Sequence, residues 1–176
     1  MAGEQATARA LAELPTGWVV IHDASWPGRR LANIDHVAVG PSGIFAIDSR
    51  DWSGRITIGD DLLHQDGRSR ASTVRGAAAS ATAVAELLPN VRSSLVHAAL
   101  CFTGSGAPRG LVGEVLVCST RDVAGLLTSG PTVLSPEQVH AAAEELRISP
   151  QPATEPPRKR AGSRRMTRSA RARNSR

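Results

Sequence analysis

Two aspartates flanking one predicted turn give the sequence its sharpest chemistry. Residues 33–40 (NIDHVAVG) and 44–48 (IFAID) are apolar, β-prone runs around Pro41-Ser42-Gly43, the pattern of a β-hairpin. A turn of even length pairs Val39 with Ile44 and Val37 with Ala46. The same register sets Asp35 opposite Asp48 and Asn33 opposite Arg50. Residues opposed in an antiparallel pair have Cβ atoms roughly 4.5–5.5 Å apart, and like charges there repel. Two carboxylates so placed need a cation, a shared proton or solvent. Hard divalent cations such as Mg²⁺ take one or two carboxylates plus water and phosphate oxygens, the arrangement of metal-assisted phosphodiester cleavage. A three-residue loop with a bulge at Gly43 instead slips the register by one and sends the aspartates to opposite faces. A plainer reading of the same residues is exposed strand ends paired with Arg50 or Arg55.

Positioning such a hairpin takes a sheet and helices to cover it. Residues 3–14 read as a helix with Ala6, Leu11 and Leu14 on its apolar stripe, stopped by Pro15. Residues 17–22 are a short strand, and 24–30, holding Trp26-Pro27-Gly28, a loop. After Gly54, residues 55–58 (RITI) extend the hairpin into a third meander strand. A polar turn follows at 60–66, with a short extra strand at 62–64. The Ala-rich stretch 69–88 is a helix whose small residues at 77–79 permit close packing on a sheet. Residues 95–102 and 114–119 are apolar enough to be central strands buried on both faces, with a flexible loop at 104–113 between them. Helices are predicted at 120–127 and 135–146. The second begins with Ser135-Pro136-Glu137-Gln138, a serine N-cap, proline at the first helical position and glutamine at the third. The fold class is α/β, a mixed central sheet flanked by helices.

Composition bounds the rest. The 176 residues suit one domain at 1–149, a Pro-rich linker at 150–157 and a tail at 158–176. The hydrophobic share of 41% and charged share of 21% exclude wholesale disorder. No apolar run is long enough to span a bilayer, so no membrane partner is expected. The N-terminal sequence lacks the basic and apolar regions of a secretory signal, and Cys101 and Cys118 are too few for a disulfide scaffold or zinc cluster. Both point to a reducing, cytoplasmic setting. The net charge of +5 hides a division: residues 158–176 hold nine of the 21 basic residues and no acidic one, leaving residues 1–157 at −4. Such a tail is expected to stay disordered and to attract nucleic acid through Arg158, Lys159, Arg160, Arg164, Arg165 and their neighbours.

The stretch from Asn33 to Gly54, NIDHVAVGPSGIFAIDSRDWSG, resembles the nuclease-related domain (NERD) family, which is placed among the PD-(D/E)xK nucleases. The resemblance extends more loosely from Gly3 to about Leu146 and excludes the tail. It implies a restriction-endonuclease-like core and favours the register that puts Asp35 and Asp48 on one face. By this likeness Asp35 is the first acidic residue of the nuclease motif and Asp48 the second. Both would bind Mg²⁺ or Mn²⁺, with the Ser49 carbonyl as a further ligand and Glu4 of the first helix completing the site. The family's lysine, two residues after the second acid, is replaced by Arg50. Arginine keeps the charge and grips phosphate bidentately, but its pKa is too high for it to act as a base. Ser80 stands where the family places a glutamine in the long helix.

Two functions follow. The first is a nuclease acting on nucleic acid, DNA in the first instance, with hydrolysis weakened or lost through Arg50. The second is a non-catalytic module that binds nucleic acid through the same groove and the tail. A third, a small domain acting through a protein partner, has no residue to speak for it. Trp52 is read as packing beside the site, with base stacking as its functional alternative. His36, next to Asp35, points to the opposite face of its strand and reads as a packed residue. His22, His64, His97 and His140 show no ligand spacing, and the two cysteines read as buried, inert thiols.

Overall fold

The computed structural model describes residues 2–25, 33–104 and 106–148. The linker at 150–157, the basic tail with its arginines and Lys159, and Trp26 lie outside the described residues, as does the 149 boundary.

The hairpin forms with the even turn. Strand β2 (Asn33–Gly40) pairs antiparallel with β3 (Gly43–Arg50) through Val39–Ile44 and Val37–Ala46, closed by Gly40 opposite Gly43. The bulged register is therefore excluded. Gly40 is required by space: a Cβ there would lie 2.2 Å from the Trp18 ring. Strand β1 (Val19–Ser25) pairs antiparallel with the other edge of β2. It runs three residues past the predicted end, so Ala24 and Ser25 are strand rather than loop.

Beyond β3 the sheet changes direction. Strand β7 (Val96–Phe102) lies parallel to β3, and β9 (Val115–Ser119) parallel to β7. This occupancy corrects the meander prediction. With β2 on one edge of β3 and β7 on the other, no edge remains for residues 55–58. They instead form β4 (Ile56–Gly59), which joins β5 (Leu62–Gln65) and β6 (Arg68–Ser69) in a separate three-stranded antiparallel sheet. Gly54, at φ +87°, turns the chain out of the main sheet, and the Asp66 carboxylate holds the turn by accepting the Arg55 N–H at 2.7 Å. The expected flexible loop at 104–113 is also only partly a loop. Its end, β8 (Gly110–Val112), folds back on β9 across Gly113, at φ +57°. The main sheet thus has six strands in the order β1-β2-β3-β7-β9-β8.

Helices cover both faces. Helix α2 (Ala71–Glu86) and α4 (Pro136–Ile148) bury Ala77, Ala81, Val84, Val139, Ala142 and Leu146 against Val37, Val39, Ala46, Leu100 and Val117. Helix α1 (Ala2–Leu11) and α3 (Val123–Thr128) bury Leu11, Val123 and Leu127 against Ala38, Phe45, Ile47, Ala99 and Cys101. Strand β7 is covered on both faces, as its unbroken apolar run requires. Helix α1 stops at Leu11, one turn earlier than predicted, and α3 starts three residues late. The predicted start of α4 forms as a reciprocal capping box: Gln138 N–H donates to Ser135 Oγ at 3.3 Å, and Ser135 N–H donates to Gln138 Oε1 at 2.8 Å. The architecture is α/β, a mixed sheet flanked by helices, consistent with a restriction-endonuclease-like core. Among the described residues no helix is long and apolar enough to cross a membrane.

Candidate functional site

The hairpin register, carried two residues further, brings Asp35 and Asp48 together at the end of β2 and β3. Period-two alternation puts Asp48 and Arg50 on one face of β3, beside α2. Asp35, Asp48 and Arg50 line a cleft of about 250 Å³ with Asn33, Ile34, Gly76 and Ser80. Gly76 and Ser80 stand one helical turn apart on α2, so this cleft is the gap between the strand ends and that helix. Ser80 is buried, and its hydroxyl is spent on the Gly76 carbonyl at 3.2 Å.

The electrostatics of the pair are unequal. Asp35 Oδ2 accepts the Ser49 backbone N–H at 2.8 Å, which fixes that carboxylate against the neighbouring strand. Asp48 is ion-paired with the Arg50 guanidinium. Its side chain is only 18% exposed, and burial raises its pKa to about 7. Arg50 opposes the rise, while the charge of Asp35 and a hydrogen bond to it add to it. Near neutrality the charged form of Asp48 is therefore costly, as expected of a carboxylate buried beside a second acidic side chain. A divalent cation relieves the same repulsion. Two converging carboxylates in a cleft with room for water and a phosphate suit Mg²⁺ or Mn²⁺, which need few protein ligands. Among the described residues no group of three or more His, Cys, Asp or Glu side chains forms a metal cage, so any ion here relies on solvent or substrate oxygens. Arg50 contributes a second feature. Its guanidinium is about a third exposed beside the cleft, a cationic donor for an anion such as phosphate.

The other predicted site residues separate. Glu4, on α1, lines a different cleft, shared with Gln5, Ala8, His22, Asp23, Asp35 and His36. Asp35 is common to both clefts; Glu4 is not among the lining of the one holding Asp48 and Arg50. Ser49 lies beside Asp35 through its N–H, and its buried hydroxyl has no partner. Trp52 is half-buried, meeting Phe102 edge-on at 5.1 Å while the Arg70 guanidinium sits 5.3 Å from the centre of its ring. Trp52 is not among the residues that line the Asp48 cleft. Cys101 and Cys118 pair across β7 and β9, buried and reduced.

One grouping escaped the sequence reading. His22 and His36 are directly opposed in the β1–β2 register, with their Nδ1 atoms 2.8 Å apart. No spacing along the chain announces it, because the two histidines lie fourteen positions apart and meet only through the pairing of β1 with β2. His36 is packed, as predicted, at 3% exposure, and burial lowers its pKa.

Comparison with known proteins gives one positive result. The family description of the nuclease-related domain matches residues 1–103, from α1 through β7. This span contains Glu4, Asp35, Asp48, Ser49, Arg50 and Trp52, and omits β8, β9, α3 and α4. No curated protein and no solved structure matches the chain.

Proposed function

The chain belongs to the nuclease-related domain family, and from that premise we propose that it binds nucleic acid, DNA in the first instance, and hydrolyses phosphodiester bonds in the Asp35–Asp48–Arg50 cleft with Mg²⁺ or Mn²⁺. The observation carrying this reading is the contact between two carboxylates, one with its pKa raised to about 7, beside a partly exposed guanidinium. Asp35 and Asp48 would hold the cation, with the Ser49 carbonyl within the same strand end. The chemistry a divalent cation supplies when bound is neutralisation of phosphate charge and acidification of water. The Ser49 N–H keeps Asp35 oriented. Arg50 binds the scissile phosphate and stabilises charge that builds on it. It takes no proton from water, so deprotonation falls to the acidified water itself or to a substrate phosphate oxygen.

That missing base is the reason for a second reading, a module that grips phosphate without cutting. A labelled-duplex cleavage assay with Mn²⁺ separates the two. Cleavage by the native chain that stops in Asp48→Ala supports a nuclease that uses arginine. Cleavage that appears only in Arg50→Lys supports a binding module derived from one. No cleavage in either, with retained duplex binding, rejects hydrolysis at this cleft.

A further inference from the structure

The second cleft, on the α1 side of Asp35, holds a grouping that phosphodiester chemistry does not use. His22 and His36 face each other across β1 and β2, rings edge-on at 86° and Nδ1 atoms 2.8 Å apart. A contact that short admits only one proton between the two nitrogens. At least one ring therefore presents a neutral Nδ1 lone pair toward the other, the form in which imidazole binds metals.

The spacing is close to a chelating one. Metal–nitrogen bonds of about 2.0–2.1 Å at angles between square and tetrahedral separate two donors by about 2.9–3.4 Å. Parting the nitrogens by a few tenths of an ångström and turning the rings so that both lone pairs aim at one point off the N···N line would convert the hydrogen-bonded pair into two ligands. The two rings are suited to share that task. His36 is buried, while His22 is exposed and has open space on its solvent side. On its far side, His36 Nε2 is buried, makes no full hydrogen bond and faces the backbone of Glu4. A backbone carbonyl commonly receives the second ring N–H of a ligating histidine. The cleft beside the pair measures about 250 Å³ and is lined by the acidic residues Glu4, Asp23 and Asp35. These favour a cation, although none converges with both rings as a third preformed ligand.

From this juxtaposition we infer a second cation site, in which His22 and His36 chelate a borderline transition-metal ion of the Zn²⁺ class, with solvent completing its coordination. Imidazole donors favour such ions, whereas the carboxylates of the neighbouring cleft favour Mg²⁺ or Mn²⁺. The two sites therefore differ in metal preference while sharing Asp35 as a wall.

Calorimetric titration of Zn²⁺ into the chelator-stripped full chain, in excess Mg²⁺, tests the inference. One Zn²⁺ per chain is expected in the native protein and in Asp48→Asn, with affinity reduced by about tenfold or more in His22→Ala. His22 is exposed, so this variant leaves the core intact. His22→Gln, which retains a hydrogen-bonding side chain opposite His36, should show the same loss and decides the matter if His22→Ala melts early. Absence of saturable Zn²⁺ binding overturns the inference. So does binding unchanged in both His22 variants, or binding lost in Asp48→Asn, which would locate the ion at the carboxylates.

Discussion

At the scale of single residues, Asp48 and Arg50 decide what the cleft can do. Asp48 has an ordinary carboxylate pKa of 3.8 when the chain is unfolded and about 7 when folded. Folded protein thus binds the proton more tightly than unfolded chain. Asp48 costs no stability below about pH 4; its cost grows from there to about pH 7 and is complete above it. Metal-free protein is predicted to lose melting temperature between about pH 4 and 7 and to level off above, and Asp48→Asn to flatten that loss; thermal melts from about pH 4 to 8 check it. The expected gain at pH 8 is on the order of a few kcal/mol, reduced by the ion pair with Arg50 that the change removes. The same proton must leave before a cation binds. Mg²⁺ or Mn²⁺ affinity should therefore rise toward pH 7, by up to about tenfold per pH unit, and level off above it. Calorimetry at pH 5.5, 6.5 and 7.5 would show the slope, and a flat response would place the ion away from Asp48.

At the scale of elements, the hairpin turn sets everything downstream. The pair Gly40–Gly43 fixes an even turn, and the even turn puts Asp35 and Asp48 on one face. Gly40→Ala would push a methyl group into the Trp18 ring. It should destabilise the fold by roughly 1–3 kcal/mol, read by chemical denaturation, while Gly76→Ala, with open space around it, should not. Ser135→Ala should cost about 1 kcal/mol through loss of the α4 cap. The hairpin, the capping box and the doubly buried β7 were legible because each depends on residues close in sequence: Pro41-Ser42, Ser135 with Gln138, an unbroken apolar run. The small sheet of β4, β5 and β6 was not. Residues 55–58 look like any meander strand until β7, some forty residues later, takes the edge they would have used. The three residues of β8 are too few to show a period, and the His22–His36 pair depends on the register of β1 against β2, which neither histidine's neighbours in sequence announce. Within the candidate site, Asp35 and Asp48 were readable from the hairpin, and Arg50 from its place two residues on. The lining by Gly76 and Ser80 needed the packing of α2 on the sheet, and the separate cleft of Glu4 needed that of α1.

At the scale of the whole molecule, charge is divided between a mildly acidic domain and a strongly basic tail. An acidic body repels nucleic acid, so the nine positive charges at 158–176 should dominate long-range attraction. Truncation after residue 157 is predicted to weaken duplex binding and make its dependence on salt shallower, while leaving cation binding at Asp35 and Asp48 unchanged. Fluorescence anisotropy over a salt series reads the first effect, and an unchanged slope would reassign nucleic-acid contact to the domain. Chemistry in the cleft, however, requires Asp35 and Asp48 together to hold a divalent cation beside Arg50. Titration of Mn²⁺ into the native chain and into Asp48→Ala at pH 7.5 addresses it most directly. Saturable binding by the native protein that disappears in Asp48→Ala, with both proteins folded, is the predicted result. Equal binding by the two, or none by the native chain, would contradict the account.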